Sequence, residues 1–464
     1  MAATPETEKN ADVAALVADI GARIESTVSR DTLLAHLVLL TVFHRQLCDN
    51  ANEVKDFSFL CAAETRYLTF MDAMAKAVIE DASLVEEPPL PPVDVALIWH
   101  SHLLSPIRYA DDVQRRYGRA VARVSFPLQR MAKALMGKDR ADMDMARAFW
   151  AAHLPADMSF DLTLANVSEN AVTARVVCPS CSNEQELSMY DYVAFRKHAQ
   201  THSCTSCGAT FTAEHVAVRR FLTIVAHAPT FARIAGTQTH PKTLVFRPDD
   251  TANMADLALH LDKSTWNTHV AKLPALSTWT DVELTMTETV VRAGHGAVHR
   301  AVIDALAQYP KFLALMVARP GVPLVPTQFI DLAWHTHQLH AAAYAKDTVE
   351  LTGKVANHDD SDDDGAKARI VAGAERTAEA WNEVFGEDYY RPNVLRSTTG
   401  GSVVDAASCD ACDECGDTAA AVAVADTAGG RCFACVFCDV AVLDNCAAAC
   451  RCVSAVGAAE CRAE

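Results

Sequence analysis

Apolar residues recur every three to four positions through most of the chain, which is the spacing of an amphipathic helix. In the first 50 residues, Val13, Leu16 and Ile20 mark one such stripe, and Leu33 and Leu37 begin a second. The same pattern predicts further helices, at about 62–80, 93–117, 140–152, 281–297, 298–317, 327–350 and 366–385. We therefore predict a mainly α-helical fold.

Two stretches depart from the helical spacing. Between 160 and 177 apolar residues alternate with polar ones, as in a half-buried strand. Beyond Arg396 the chain is rich in Ala, Gly, Asp and Cys and has few large apolar side chains from which to build a core. We accordingly expect an N-terminal helical half, a small β insert, a C-terminal helical half and a disordered cysteine-rich tail, over 11–155, 160–215, 216–392 and 396–464.

A motif of tryptophan and histidine occurs once in each helical half. Residues 99–112 and 334–347 are identical at seven of 14 positions without a gap: the Trp, two His, a Leu, a Tyr, an Ala and the final Asp. Because the chain contains six Trp in all, two Trp-His-x-His elements indicate a duplication, and we predict two related helical-bundle halves. The candidate residues are Trp99, His100, His102, Tyr109 and Asp112, and Trp334, His335, His337, Tyr344 and Asp347.

The motif histidines have two interpretations. A helix turns about 100° per residue, so His100 and His102 project in different directions and cannot bind one metal ion from a regular helix. On a continuous helix, His102 and Tyr109 share the apolar side, as do their counterparts in the second copy. We therefore favour buried histidines that pair with Tyr or Asp. The alternative is a Zn, Fe or Mn site built from both halves, with Asp94 or Asp331 as a carboxylate ligand.

Two Cys-x-x-Cys pairs lie in the predicted insert, 22 residues apart. Their members are Cys178 and Cys181, and Cys204 and Cys207. Four thiolates in two short turns suit a closed tetrahedral zinc site, and Gly208 permits the positive-φ turn after the second pair. His198 and His202 are alternative ligands between the pairs. Four protein ligands leave no open position, so we predict a structural zinc in a zinc-ribbon-like element.

The tail carries two runs of Cys-x-x-Cys-x-x-Cys. They consist of Cys409, Cys412 and Cys415, and of Cys432, Cys435 and Cys438. A ferredoxin cluster needs a fourth cysteine four residues further on, where Ala419 and Val442 stand instead. Soft thiolates favour Zn or Cu(I). Two alternatives stay open, a soft-metal site and a compositionally biased tail with no defined site.

The charge balance argues against nucleic acid as a partner. Lys and Arg total 41 against 59 Asp and Glu, a net charge of −18, which argues against a broad electrostatic attraction to DNA or RNA but does not exclude a local basic patch. The four basic residues near the zinc element are too few to favour a nucleic-acid interface: Arg196, Lys197, Arg219 and Arg220. Residues 1–10 lack the basic and apolar regions of a secretory signal, and the apolar run at 33–43 is too short to cross a bilayer. We expect a cytoplasmic, intracellular protein without membrane contact, whose 16 cysteines are reduced and available to metal.

Several of these segments together resemble the glycine-rich domain-containing protein-like family. The resemblance rests on residues 92–106, 329–339 and 358–360, and on residues 381–391 with their Trp-Asn-Glu-Val-Phe-Gly and Tyr-Tyr-Arg elements. It covers about 30–391, and the four-cysteine insert and cysteine-rich tail are similar to those of fungal members. The resemblance implies a domain with no established reaction.

No complete catalytic motif is present: the chain has no Gly-x-Ser-x-Gly, no Walker loop and no His-Glu-x-x-His. Our leading hypothesis is a non-enzymatic interaction or regulatory scaffold that is stabilised by structural zinc and binds a protein partner. One alternative is a metal-dependent hydrolase or oxygenase that uses the Trp-His-x-His histidines as ligands. Another is a thiol-based metal-binding or redox-sensing protein that acts through the tail.

Overall fold

The computed structural model describes residues 5–50, 57–163, 167, 172–219, 295–357, 364–389, 450–455 and 458–463. These ranges are mainly helical, as predicted. The N-terminal part comprises α1 (Pro5–Ile24), α2 (Arg30–Asp49), α3 (Ser58–Glu80), a 3₁₀ turn (Ala82–Val85), α4 (Val93–Leu103), α5 (Pro106–Tyr117), α6 (Arg119–Ala122), α7 (Leu128–Leu135) and α8 (Arg140–His153). The C-terminal part comprises α10 (His295–Ala318), α11 (Gln328–Gln338), α12 (Ala341–Thr352) and α13 (Asp364–Phe385).

Between these parts lies a small β-containing insert. It comprises β1 (Thr173–Val177), β2 (Glu184–Ser188), α9 (Met189–Lys197), β3 (His202–Ser203) and β4 (Thr210–Phe211). The strands pair as two antiparallel hairpins, β1 with β2 and β3 with β4. Six side chains form a separate small core here: Val176, Cys178, Leu187, Phe195, Cys204 and Phe211. The insert therefore has only a small apolar core of its own.

The helix boundaries follow local chemistry. The side chains of Asp139, Ser188 and Thr327 each accept a hydrogen bond from the backbone N–H three residues on, and so cap α8, α9 and α11. The single helix predicted over 93–117 is wrong, because the chain breaks after α4 and Pro106 starts α5 at its first turn. The helix predicted over 327–350 is likewise two helices, which separate at 339–340.

The two helical parts share one hydrophobic core. Buried apolar side chains from both belong to the same cluster, among them Leu37, Phe70, Ile98, Phe312 and Ile330. Helix α2 packs against α4 and α7 of the N-terminal part and against α10 and α11 of the C-terminal part. Helix α1, which falls within the predicted N-terminal half, packs against α10 and α13. The parts are therefore joined through their cores as well as along the chain.

Little of the tail falls within the described ranges. There the structure shows one antiparallel pair of strands, β5 (Cys450–Ala455) and β6 (Ala458–Ala463). The six tail cysteines proposed as metal ligands, Cys409 to Cys438, lie outside the described residues, as does the helix predicted over 281–297 up to residue 294. None of the described helices combines the length and the apolar character needed to cross a bilayer.

Candidate functional site

The first motif histidine pair is held inside the core by α4. Both His100 and His102 are buried, with at most 4% of either residue exposed. The Tyr67 hydroxyl lies 2.9 Å from His102 Nδ1, and Asp112 Oδ2 lies 3.5 Å from His102 Nε2. Burial holds the pKa of Tyr67 well above its usual value, so the phenol stays protonated and donates to the imidazole. His102 is thus the centre of a Tyr–His–Asp chain.

The second motif repeats this arrangement. The Tyr309 hydroxyl donates to His337 Nδ1 over 3.0 Å, and His337 Nε2 donates to Asp347 Oδ2 over 3.2 Å. Burial raises the pKa of Tyr309 and lowers that of His337, although Asp347 opposes the second effect. The neutral imidazole therefore accepts one hydrogen bond and donates another within the core. The duplication seen in the sequence is a duplication of side-chain contacts as well.

The motif tryptophans and their downstream tyrosines form a second repeated contact. Trp99 Nε1 donates to the Tyr109 hydroxyl over 3.3 Å, and Trp334 Nε1 donates to the Tyr344 hydroxyl over 2.7 Å. The Tyr344 hydroxyl in turn donates to the carbonyl oxygen of Ala356. The hydroxyls of Tyr109 and Tyr344 therefore accept hydrogen bonds from the indoles. The tyrosines that contact His102 and His337 through their hydroxyls lie on other helices.

Those phenol partners, Tyr67 and Tyr309, were not among the residues singled out from the sequence. They lie on the preceding helices α3 and α10, 35 and 28 residues before the histidines they contact. Because these two separations differ, a comparison of the two motifs without gaps does not align Tyr67 with Tyr309. The signal in the sequence that could have identified them is the presence of a tyrosine on the helix that precedes each motif.

A histidine outside the motif joins the two repeats. His36 on α2 is fully buried, and its Nδ1 lies 2.8 Å from the hydroxyl oxygen of Thr336 on α11. Since that hydroxyl donates to the carbonyl oxygen of Leu332, it accepts from His36 Nδ1. His36 Nε2 is then the acceptor for His100 Nε2, 2.7 Å away. Burial, reinforced by the neighbouring His335, lowers the pKa of His36 to about 3, so this contact is between neutral rings.

The carboxylates considered as metal ligands are engaged in other ways. Asp94 forms a buried ion pair with Arg66, whose Nε lies 2.6 Å from its Oδ2. Arg66 also donates to the backbone carbonyls of Ser159 and Phe160, each over 2.7 Å. Asp331 Oδ1 lies 3.4 Å from His335 Nε2, one helical turn along α11. The Arg66–Asp94 pair joins α3 to α4, whereas the Asp331–His335 contact lies within α11. The two carboxylates thus have separate partners.

The four predicted zinc ligands of the insert do meet at one point. The sulfur atoms of Cys178, Cys181, Cys204 and Cys207 all lie within 4.8 Å of one another. Cys181 Sγ is 3.6 Å from Cys204 Sγ, and Cys178 Sγ is 3.8 Å from Cys207 Sγ. A tetrahedron with Zn–S bonds of about 2.3 Å has sulfur–sulfur edges of about 3.8 Å. Within the described ranges, no other group of three or more His, Cys, Asp or Glu side chains comes this close.

Backbone hydrogen bonds shape two turns around this four-cysteine cluster. Ser182 N–H donates to the Cys178 carbonyl and Gly208 N–H to the Cys204 carbonyl, both over 2.9 Å. Ser182 and Gly208 both have positive φ, 63° and 73°, which closes each turn behind its second cysteine. The N–H groups of Cys207 and Ser206 point at the Cys204 sulfur and lower the pKa of that thiol to about 6. The second turn thus favours the thiolate of Cys204, the form that binds metal. In the first turn the Asn183 N–H lowers the pKa of Cys181, but contacts with the neighbouring cysteine sulfurs outweigh it and raise that pKa to about 12.

Helix α9 attaches the insert to the helical core. Its residues Met189 and Val193 belong to the main core, while Phe195 belongs to the small core of the insert. Arg196 forms an ion pair with Glu64 on α3, and both side chains are less than 10% exposed. Arg196 is therefore engaged in an internal contact, which leaves its charge less available to a nucleic acid.

The fold and these contacts define a class of protein: a mainly helical body with a duplicated Trp-His-x-His element and a four-cysteine insert. The family model "Glycine-rich domain-containing protein-like" matches residues 9–112 and 290–347, so each matched segment contains one copy of the element. Over these two segments the chain is similar to this family.

Two relatives from Arabidopsis thaliana are similar to the chain. Glycine-rich domain-containing protein 2 is 25% identical over 378 residues, which cover 79% of this chain and 34% of that protein. Glycine-rich domain-containing protein 1 is 40% identical over 97 residues, 20% of this chain and 12% of that protein. The chain thus matches about a third or less of the length of either relative. No solved structure matches the chain significantly.

Proposed function

We propose that this protein is a non-enzymatic interaction or regulatory scaffold, in which a helical body carries an insert stabilised by structural zinc. The observation that supports this most is the burial of the motif histidines. His100, His102, His335 and His337 are each at most 4% exposed. A catalytic metal centre keeps one coordination position open to water or substrate, and fully enclosed imidazoles do not provide one.

Zinc is the ion that best fits the four-cysteine cluster. Four thiolates at tetrahedral spacing are a closed structural set, and the small core beside them includes two of the ligands, Cys178 and Cys204. The metal would be held by residues from both hairpins. When bound, the ion supplies a cross-link between β1–β2 and β3–β4. Its binding free energy is then folding free energy for the insert.

Metal analysis of variants tests both parts of the proposal. Mass spectrometry of metal content on the full chain should show one zinc fewer per chain in Cys181→Ser. A Cys61→Ser control removes a buried thiol from α3 and should leave the metal content unchanged. Circular dichroism at each step reports whether the helical body is intact.

The same measurement separates the scaffold from the metal-dependent enzyme. The double variant His100→Gln and His335→Gln should retain every metal ion of the parent chain, since the proposal gives these imidazoles no ligand role. Loss of a metal ion from the folded double variant would instead support an enzyme built on the Trp-His-x-His elements. The partner is expected to be a protein, because a net charge of −18 argues against nucleic acid.

A further inference from the structure

We propose that the four-cysteine cluster is also an oxidation site, at which hydrogen peroxide converts the thiolates to the disulfides Cys181–Cys204 and Cys178–Cys207 and releases the metal. This inference rests on the zinc site proposed above and adds a regulation of that site. It concerns the insert and is independent of the tail cysteines.

The spacing of the sulfur atoms favours these two pairs. The 3.6 Å and 3.8 Å distances both join a cysteine of one turn to a cysteine of the other. A disulfide requires the two sulfurs to approach to about 2.05 Å, so each pair needs a movement of less than about 2 Å. The proposal requires this movement to come from side-chain rotation on both partners.

Each of these pairs combines an accessible sulfur with a protected one. Cys181 and Cys207 are exposed, whereas Cys178 and Cys204 are 0% and 3% exposed and belong to the small core. An oxidant from solvent therefore reaches the second cysteine of each turn first. The protected partner then lies within 4 Å, close enough to attack the oxidised sulfur and complete the disulfide.

The chemistry balances with hydrogen peroxide as the only oxidant. The exposed thiolate attacks one peroxide oxygen, an S–O bond forms, the O–O bond breaks, and the hydroxide that leaves takes up a proton to become water. The buried thiolate then attacks the sulfenic sulfur, the S–S bond forms, and a second hydroxide leaves and is protonated. Each pair loses two electrons and consumes one peroxide and two protons. Two such events convert all four thiolates and free the Zn²⁺ ion.

The cross-turn pairing has a structural consequence. Disulfides between the two turns replace the metal as the link between the β1–β2 and β3–β4 hairpins. Disulfides within the turns would leave the hairpins joined by the small core, by α9 and by the hydrogen bonds from Thr205 to Gln185, with no disulfide or metal link between them. Oxidation through the proposed pairs therefore releases the ion while the hairpins stay cross-linked.

The test is a peroxide titration of the purified, zinc-loaded full chain. A chromophoric chelator follows the released zinc, and non-reducing peptide mapping by mass spectrometry identifies the disulfides. We expect about one zinc released from the cluster for every two peroxide molecules consumed there. The maps should contain Cys181–Cys204 and Cys178–Cys207, and dithiothreitol with added zinc should restore the starting state. A Cys61→Ser chain should give the same result, since that thiol lies outside the cluster.

Three results would overturn the inference: no cluster disulfide after zinc-loaded protein has consumed peroxide, disulfides within each turn, or sulfinic acids on Cys181 and Cys207. A chain that carries no zinc at this cluster before peroxide is added contradicts the proposed function instead. The zinc content at the start of the titration thus separates the failure of one proposal from the failure of the other.

Discussion

The two repeats contain the same Tyr–His–Asp chain in different surroundings. In the first repeat the Asp112 side chain is 42% exposed and also contacts Arg115, whereas in the second the Asp347 side chain is 9% exposed. Burial alone would raise the pKa of Asp112, but contacts with His102 and Arg115 lower it. The two repeats therefore share the contacts between their Tyr, His and Asp side chains, but they differ in how far the Asp is exposed to solvent. The difference indicates that the shared contacts hold the helices of each repeat together.

The largest effect is expected from a charge pair found in the first repeat. Arg66→Met should lower the free energy of unfolding by about 3–5 kcal/mol, because it leaves the fully buried Asp94 carboxylate without its partner. Gln308 precedes Tyr309 as Arg66 precedes Tyr67, so Gln308→Met is the matched control, with an expected loss below about 1 kcal/mol. Chemical denaturation measures both. Equal losses would show that the repeats do not differ in this way.

The buried contact of His36 with Thr336 and His100, which joins the two repeats, should make the stability of the protein depend on pH. The pKa of His36 is about 3 in the folded state, because burial disfavours the cation, and it returns to its ordinary 6.5 on unfolding. Between these two pKa values the unfolded chain binds more protons at His36 than the folded chain does. The contribution of neutral His36 to the free energy of unfolding is therefore fully present above pH 6.5 and decreases as the pH is lowered. The slope is about 1.4 kcal/mol per pH unit for this histidine.

The matched variant for this prediction is His36→Gln, which can still donate to Thr336 and accept from His100. Its free energy of unfolding, measured by denaturation at several pH values below 6.5, should vary less steeply than that of the parent. The comparison cancels the pH dependence of metal binding, which is common to both proteins. Identical slopes would contradict the assignment of acid sensitivity to this buried contact.

The shared phenol contacts should give similar effects in the two repeats. Tyr67→Phe and Tyr309→Phe each remove the donor to a buried imidazole nitrogen and should cost about 1–3 kcal/mol. Thermal or chemical unfolding of the two variants side by side measures the difference between them. If one substitution is neutral, the Tyr–His contact is not a common structural element of the repeats.

The smallest effects should come from the carboxylates, and here the repeats should differ. Asp347→Asn weakens a buried charge-assisted hydrogen bond and should cost about 1 kcal/mol. Asp112→Asn changes a partly exposed side chain and should stay within about 0.5 kcal/mol. Denaturation curves recorded at the same pH distinguish the two variants. The reverse order would mean that exposure does not govern these contacts.

The sequence predicted those features that depend on short-range spacing. The Trp-His-x-His elements located α4 and α11, and the two Cys-x-x-Cys pairs located the four-cysteine cluster, since both patterns lie within a few consecutive residues. The break between α4 and α5 was missed, although Pro106 stands at the start of α5 and favours a helix N-terminus.

Contacts between distant helices could not be predicted in this way. His36 appears in the sequence as a single histidine in an apolar run, and its contact with His100 depends on how α2 packs between the repeats. Tyr67 and Tyr309 stand at different distances from their histidines, so no fixed spacing identifies them. Helix α1 packs against α10 and α13 because the two parts share one core, which no local pattern encodes.

X-ray absorption at the zinc K-edge of the purified full chain tests the central claim most directly, because it reports which atoms surround the ion. We expect a first shell of sulfur alone at about 2.3 Å, with no imidazole scattering, since the claim assigns zinc to thiolates and the motif histidines to internal packing. Nitrogen ligands at about 2.0–2.1 Å with the outer-shell pattern of imidazole would contradict it.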